Sequence, residues 1–133
     1  MTAVFMDLDD EHNPMNGIML ATGEDVRWCL AQLHGRRPFM FQLQLEDGRK
    51  LDVGLAGNVA CVQRTPSDDL PPYQIATTWS KPPSGQGDTE FYVGGTLTPI
   101  DHRYCLSLHL VERILKAHLE GQQLPTGIFW EDT

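Results

Sequence analysis

The sequence predicts an α+β fold, a twisted and mostly antiparallel meander of about five or six strands with two helices packed on one face. Three observations carry that prediction. A strongly amphipathic stretch, Leu108 to Glu120, has the helical period; Phe39 to Leu45 has a period of two; and the apolar positions of the following segments align across short turns containing glycine. With 133 residues and 41% hydrophobic content, the chain is long enough for one real core and too short for a second. A single domain over residues 1–133 is therefore expected.

In chain order, Ala3 to Met6 reads as a short strand, and Asp7 to Pro14 as a charged loop that cannot bury itself. Met15 to Ala21 is apolar enough for a strand. Thr22 then offers an N-cap, with Glu24 and Asp25 in the favourable first turn, for a helix from about Gly23 to His34. Its stripe is Val26, Cys29, Leu30 and Leu33, and Gly35 stops it. Trp28 projects off that stripe.

From Pro38, Phe39, Phe41, Leu43 and Leu45 alternate with polar or flexible residues. A two-residue turn at Asp47-Gly48 would set Leu43 opposite Asp52 and Leu45 opposite Lys50, placing charges beside the core face. A three-residue loop, Glu46-Asp47-Gly48 with Gly48 left-handed, instead pairs Leu43 with Leu51, Phe41 with Val53 and Phe39 with Leu55. A two-residue turn at Gly57-Asn58 continues the same face, Leu55 to Ala60 and Val53 to Val62. Tyr73 to Trp79 is the expected fourth strand, after a proline-rich loop at 65–72. A flexible loop at 80–88 and a fifth strand at Glu90 to Val93 come next, and then a bend or bulge at Gly94 to Thr98. Ser107 caps the second helix, Gly121 ends it, and a proline turn leads to a last strand around Gly127 to Trp130.

The formal charge of −8 disfavours nucleic acid and anionic membranes as partners and favours a basic protein, although solubility alone accounts for such a charge equally often. No apolar run approaches the ~18 residues of a spanning helix, and the N-terminus lacks a basic, then apolar, leader pattern. Cys29, Cys61 and Cys105 are odd in number and far apart, which disfavours a disulfide framework and suits a cytoplasmic protein.

Candidate chemical motifs fail on spacing. His102, Cys105, His109 and His118 lack the two properly spaced pairs of a zinc site, and His118 falls on the apolar arc, where a hydrogen-bonded, partly buried histidine is the commoner explanation. Asp7, Asp9 and Glu11 alternate as in a calcium loop, yet the sixth position is His12 and the twelfth Ile18. Gly85-Gln86-Gly87 lacks the third glycine of a dinucleotide fingerprint, and no nucleophile elbow, P-loop or zinc-deaminase signature is present. The expectation is a protein without catalytic residues, metal or cofactor. Alternate turns of a meander lie at the same end, so Glu46 and Asp47 should meet Asp68 and Asp69, with Tyr73 as an aromatic anchor and Asp88 contributing from the 80–88 loop. These six form the candidate partner-binding edge.

From Glu90-Phe91-Tyr92-Val93-Gly94-Gly95 through the second helix to Leu119-Glu120-Gly121-Gln122-Gln123-Leu124-Pro125-Thr126-Gly127-Ile128-Phe129-Trp130-Glu131, the chain resembles immunity protein family 1 of bacterial polymorphic toxin systems. The resemblance covers roughly the C-terminal third and rests on a helix, a glycine, a proline turn and an apolar strand closing on tryptophan. It implies a cytosolic antidote that binds a toxin encoded beside it, often a nucleic-acid deaminase, and blocks its active site. Two other classes stand beside it: an adaptor or secretion chaperone, and a small enzyme or ligand-binding domain using a concave sheet face.

Overall fold

The computed structural model describes residues 1–78 and 87–133. Its strands are β1 (Ala3–Asp7), β2 (Met19–Leu20), β3 (Phe39–Leu45), β4 (Lys50–Ala56), β5 (Val59–Thr65), β6 (Gln74–Thr78), β7 (Asp88–Val93), β8 (Thr96–Asp101), β9 (Leu106–Ser107) and β10 (Ile128–Asp132). The helices are α1 (Gly23–Gln32) and α2 (Leu108–Glu120). The class is the α+β one expected, with more strands than the sequence suggested. Trp79 and most of the expected 80–88 loop lie outside the described residues.

The sheet runs in the order β10-β6-β5-β4-β3-β1-β2, every neighbour antiparallel. Both hairpin registers follow the turn argument. Phe41 stands opposite Val53 and Leu43 opposite Leu51, while Val53 also faces Val62 and Leu55 faces Ala60. Gly48, at φ +92°, takes the left-handed position that lets Leu45 and Arg49 close a three-residue loop, the Leu45 amide donating to the Arg49 carbonyl at 2.8 Å.

Both helices cover one face of this sheet. Thr22 caps α1 reciprocally: its hydroxyl accepts from the Asp25 amide at 3.2 Å, and the Asp25 carboxylate accepts from the Thr22 amide at 3.1 Å. The helix ends at Gln32, two residues before the expected His34, because Leu33 turns into the cap to reach the core. Ser107 accepts from the Leu110 amide to start α2, and Gly121 ends it at φ +67°. Val26, Leu30, Val111, Ile114 and Leu115 then meet Phe5, Phe41, Leu43, Val53 and Val62 in one buried cluster, with Trp130 partly buried against it. Leu115→Ala is accordingly expected to lower unfolding free energy by about 2 to 5 kcal/mol in urea titrations. A loss of less than half a kcal/mol, roughly the level of a surface change, would place that face of α2 outside the core.

Three expectations need correction. The stretch Met15 to Ala21 is strand only at Met19–Leu20. Asparagine side chains capture the backbone before it: Asn16 accepts from the Asp7 amide at 2.7 Å and Asn13 from the Met15 amide at 2.9 Å. Nor is Asp7 to Pro14 a loop that stays in solvent. The Asp7 side chain is fully buried and Asp9 nearly so, held by Arg36 at 2.5 Å and Arg37 at 3.2 Å.

The third correction concerns Gly94 to Thr98. This stretch is a two-residue hairpin turn, with Gly94 and Gly95 at φ +57° and +82°, followed by the full strand β8, which pairs Val93 with Thr96 and Phe91 with Thr98. The hairpin does not extend the meander beside β6. It reaches β3 through a parallel pairing of Phe39 with Tyr92 and lays Phe91 over the face of the sheet away from the helices. Met40, Cys61, Ile75, Phe91 and Cys105 form a second, smaller core there. Gly54 makes room for it, since a Cβ at that position would stand 2.8 Å from both the Cys61 sulfur and the Phe91 ring. All three cysteines are buried and free, and burial pushes the Cys29 and Cys61 thiols up to about 12.

Candidate functional site

The meander does bring four of the expected acids to one end of the sheet. The β3–β4 loop carrying Glu46 and Asp47 abuts the β5–β6 loop carrying Asp68 and Asp69, close enough that a Cβ on Gly48 would lie 3.1 Å from the Ser67 Cβ. Their charges are largely answered locally. Asp47 pairs with Arg49 at 2.8 Å, and Asp69 with Lys50 at 2.8 Å. Desolvation, the largest single influence on Asp47, would raise its pKa, but the Arg49 amide and guanidinium together outweigh it and hold the carboxyl below the usual carboxylate value. Glu46 accepts from the Thr2 amide at 2.9 Å. Asp68 accepts from the Leu70 amide at 3.0 Å and has no cationic partner among the described residues.

Tyr73 stands just inside this edge, but its hydroxyl donates to the Asp69 carbonyl at 2.9 Å, so the ring braces the 68–72 loop. The large apolar side chain this loop presents to solvent is Leu70, 60% exposed, with the exposed Met1 nearby against Glu46 and Arg49. The sequence reading missed Leu70, although Asp68-Asp69-Leu70-Pro71-Pro72 is a signal in retrospect: a lone large apolar residue inside an acidic, proline-stiffened loop. Asp88 does not join the edge. It faces Asp101 across the β7–β8 hairpin. The turn after Asp101 packs near β6 through a Thr77 hydroxyl to Arg103 carbonyl bond of 3.4 Å, at the opposite end of the sheet from Glu46.

The residues weighed as zinc ligands are dispersed. The Cys105 thiol points to the Asp101 carbonyl at 3.7 Å within the second core, and His109 is exposed on α2 beside Glu112. Among the described residues no group of three His, Cys, Asp or Glu side chains is arranged to hold a metal ion, and no helix is long and apolar enough to cross a membrane. His118 bonds the Ile114 carbonyl through Nδ1 at 3.0 Å and meets the Trp130 ring edge-on, centroids 5.7 Å apart. Burial lowers its pKa below the ordinary 6.5, with the Ile114 carbonyl opposing the shift. The fold therefore holds a neutral imidazole. Stability from this site is complete above pH 6.5 and drains away below it, as the unfolded chain takes up the proton first. In urea titrations across that range, His118→Gln should flatten the decline; an unchanged slope would remove His118 as its source.

Two grooves flank the helices. One, of about 700 Å³, is lined by Leu30, Ala31 and Leu108 with Asn58, Ser107 and Glu112. The other, of about 1040 Å³, runs between Arg27 and Glu24 on α1 and Arg113, Lys116 and Glu120 on α2. The first groove also carries His34 and His109, the latter beside Glu112 at 3.9 Å, while the Ser107 hydroxyl accepts from the Leu110 amide as the cap of α2. Set against known proteins, the chain matches no family model and no curated protein sequence.

Proposed function

We propose that this chain is an immunity protein, an antidote that binds a toxin domain and blocks its active site, with a nucleic-acid deaminase as the expected toxin class. The observation that carries the reading is the end of the sheet where Leu70 protrudes between Asp68 and the Asp69–Lys50 pair on a loop braced by Tyr73. An exposed apolar anchor ringed by charge is the anatomy of a protein-binding edge. The acidic balance of the whole chain suits a basic partner. The C-terminal resemblance supplies the class of that partner.

The test is co-expression with the toxin domain encoded beside it, read as cell survival and as co-purification. Protection and a stable complex are expected, and toxicity unrelieved by the chain would overturn the reading. Within that experiment, Asp68→Asn with Asp69→Asn keeps the loop's hydrogen-bond acceptor and its tolerance of the left-handed backbone at Asp69 while removing charge. The pair should slow association and flatten its salt dependence. Leu70→Ala should instead hasten dissociation about tenfold or more, as loss of an anchor does. Unchanged kinetics in both would move the interface elsewhere on the molecule.

A second reading, an adaptor or secretion chaperone, is favoured by the apolar groove at Leu30, Ala31 and Leu108, which has the dimensions to accept an apolar segment of another protein. The two separate on the site of damage. Leu108→Glu would abolish an adaptor's binding and leave an antidote acting through the Leu70 edge intact.

A further inference from the structure

Next to the acidic edge, on the helix side of the sheet, lies a cleft of about 280 Å³ lined by Arg49, Arg64, Thr65, Pro66, Pro72 and Gln74. Arg27, Arg36, Arg37, Arg49 and Arg103 each sit against a carboxylate, whereas the half-buried Arg64, like the exposed Arg113, has none within ion-pairing distance among the described residues. Its Nε donates to the Gln74 side-chain oxygen at 2.7 Å, and its guanidinium lies over the Trp130 ring, 4.4 Å from the centroid. The Gln74 amide in turn donates to Asp132 at 2.8 Å, which fixes the orientation of Gln74. Arg64 is thus held rigidly by a bond and a stack, half-buried, facing a second arginine. Burial and the neighbouring Arg49 both depress its pKa, so the charge is imperfectly compensated in the free protein.

We propose that the Arg49–Arg64 cleft is a carboxylate-binding site. With Nε engaged by Gln74, the two terminal nitrogens of Arg64 remain as a fork, the geometry that takes both oxygens of a planar carboxylate. Arg49, tied to Asp47 through Nε, supplies a second cation at the mouth. The charge of the ligand is limited by its surroundings. Asp47 and Asp132 stand close behind the two anchors, and the chain carries −8 overall, so a monoanion is accepted where a phosphate dianion is repelled. The proline walls suit the short apolar stem of an acidic side chain. Resting on the interface reading above for its source, the carboxylate is an Asp or Glu of the partner, received beside the Leu70 anchor so that the edge is charge-alternating and fixes the register of docking.

The site is tested without any partner by titrating the full chain with sodium acetate, and separately with inorganic phosphate, at constant ionic strength, and following the Trp130 indole and Gln74 amide resonances. Saturable shifts with acetate, tighter than with phosphate, are expected. Arg64→Gln should weaken acetate binding at least about tenfold, in line with loss of a charged hydrogen-bonding group. Arg64→Lys and Arg49→Gln should fall between, and the exposed Arg113→Gln on α2 should match the parent. Shifts that never saturate, that persist in Arg64→Gln, or that favour phosphate would overturn the site. A second arm measures the partner complex with Arg64→Gln. Acetate binding at Arg64 with an unaltered partner complex would overturn the partner as the carboxylate's source while leaving the cleft in place, whereas failure of the first arm removes the cleft whatever becomes of the immunity reading.

Discussion

Asp7→Ala is expected to remove about 3 to 5 kcal/mol of folding stability, the range for breaking a buried ion pair from one side. The Asp7 carboxylate, with no exposed side-chain surface, accepts four hydrogen bonds: from Arg36 at 2.5 Å, from the Asn13 side chain at 2.9 Å, and from the Asp9 and Asp10 amides at 2.8 and 2.9 Å. Truncation strands all four donors, and Arg36, stacked on the Phe39 ring at 3.7 Å, cannot simply swing into water. Burial alone would raise the pKa of Asp7. The bonds from Arg36, Asn13 and the two amides outweigh it and hold the carboxyl below the ordinary 3.8. Its contribution is therefore complete above pH 3.8 and is lost as the pH falls through the folded value. Urea titrations at pH 7 should show the full loss for Asp7→Ala and a smaller one for Asp7→Asn, and the gap between parent and Asp7→Asn should close in acid. A cost below 1 kcal/mol, roughly that of one ordinary hydrogen bond, would mean that the 7–17 loop is not coupled to the core.

This aspartate also marks where the sequence stops being readable. Asp7-Leu8-Asp9-Asp10-Glu11 looks solvated because its compensating arginines stand 29 and 28 residues away, and nothing local announces the pairing. Features set by short-range geometry were legible. The 3.6 and 2 periods, the caps at Thr22 and Ser107, and the choice between turns at Gly48 and Gly57 are all decided within a dozen residues, and the sheet obeys them. The acidic edge was legible for the same reason, since turn parity alone places Glu46 near Asp69. What parity cannot say is that Lys50, a β4 residue, would reach across to pair with Asp69, or that Tyr73 would brace a loop from which Leu70 protrudes.

Asp88 was misplaced because turn parity was not carried past β6: in a meander the connection after that strand falls at the end opposite Glu46. Its actual position depends on one long-range pairing, Phe39 with Tyr92, and on a missing side chain at Gly54. A glycine in the middle of a strand whose other face carries Leu51, Val53 and Leu55 was the available clue. Such a residue is often a seat for something large arriving from elsewhere in the chain.

What arrives is Phe91, and Phe91→Ala is expected to cost about 3 to 5 kcal/mol, the range for deleting a fully buried phenyl ring. The loss should be local in its first effects. Among the described residues the β7–β8 hairpin is otherwise held by the Phe39–Tyr92 pairing, the Gly94 amide to the Leu8 carbonyl at 2.8 Å, the Gly95 amide to Asp9 at 2.9 Å, the Arg37 guanidinium over the Tyr92 ring at 3.6 Å, and the partly buried Val93 and Ile100 against the second core. Without the ring, amides of β7 and β8 should lose hydrogen-exchange protection before those of β3, β4 and β5, which keep the helix-side core. Gly54→Ala attacks the same contact from below, where overpacking costs about 1 to 3 kcal/mol. Because the new methyl would occupy space that the ring vacates, the two changes combined should cost less than their separate effects imply, though the Cys61 sulfur, 2.8 Å from the methyl position, prevents full relief. Strict additivity in that cycle, or uniform loss of protection across the sheet, would show that Phe91 is not what seats the hairpin on Gly54.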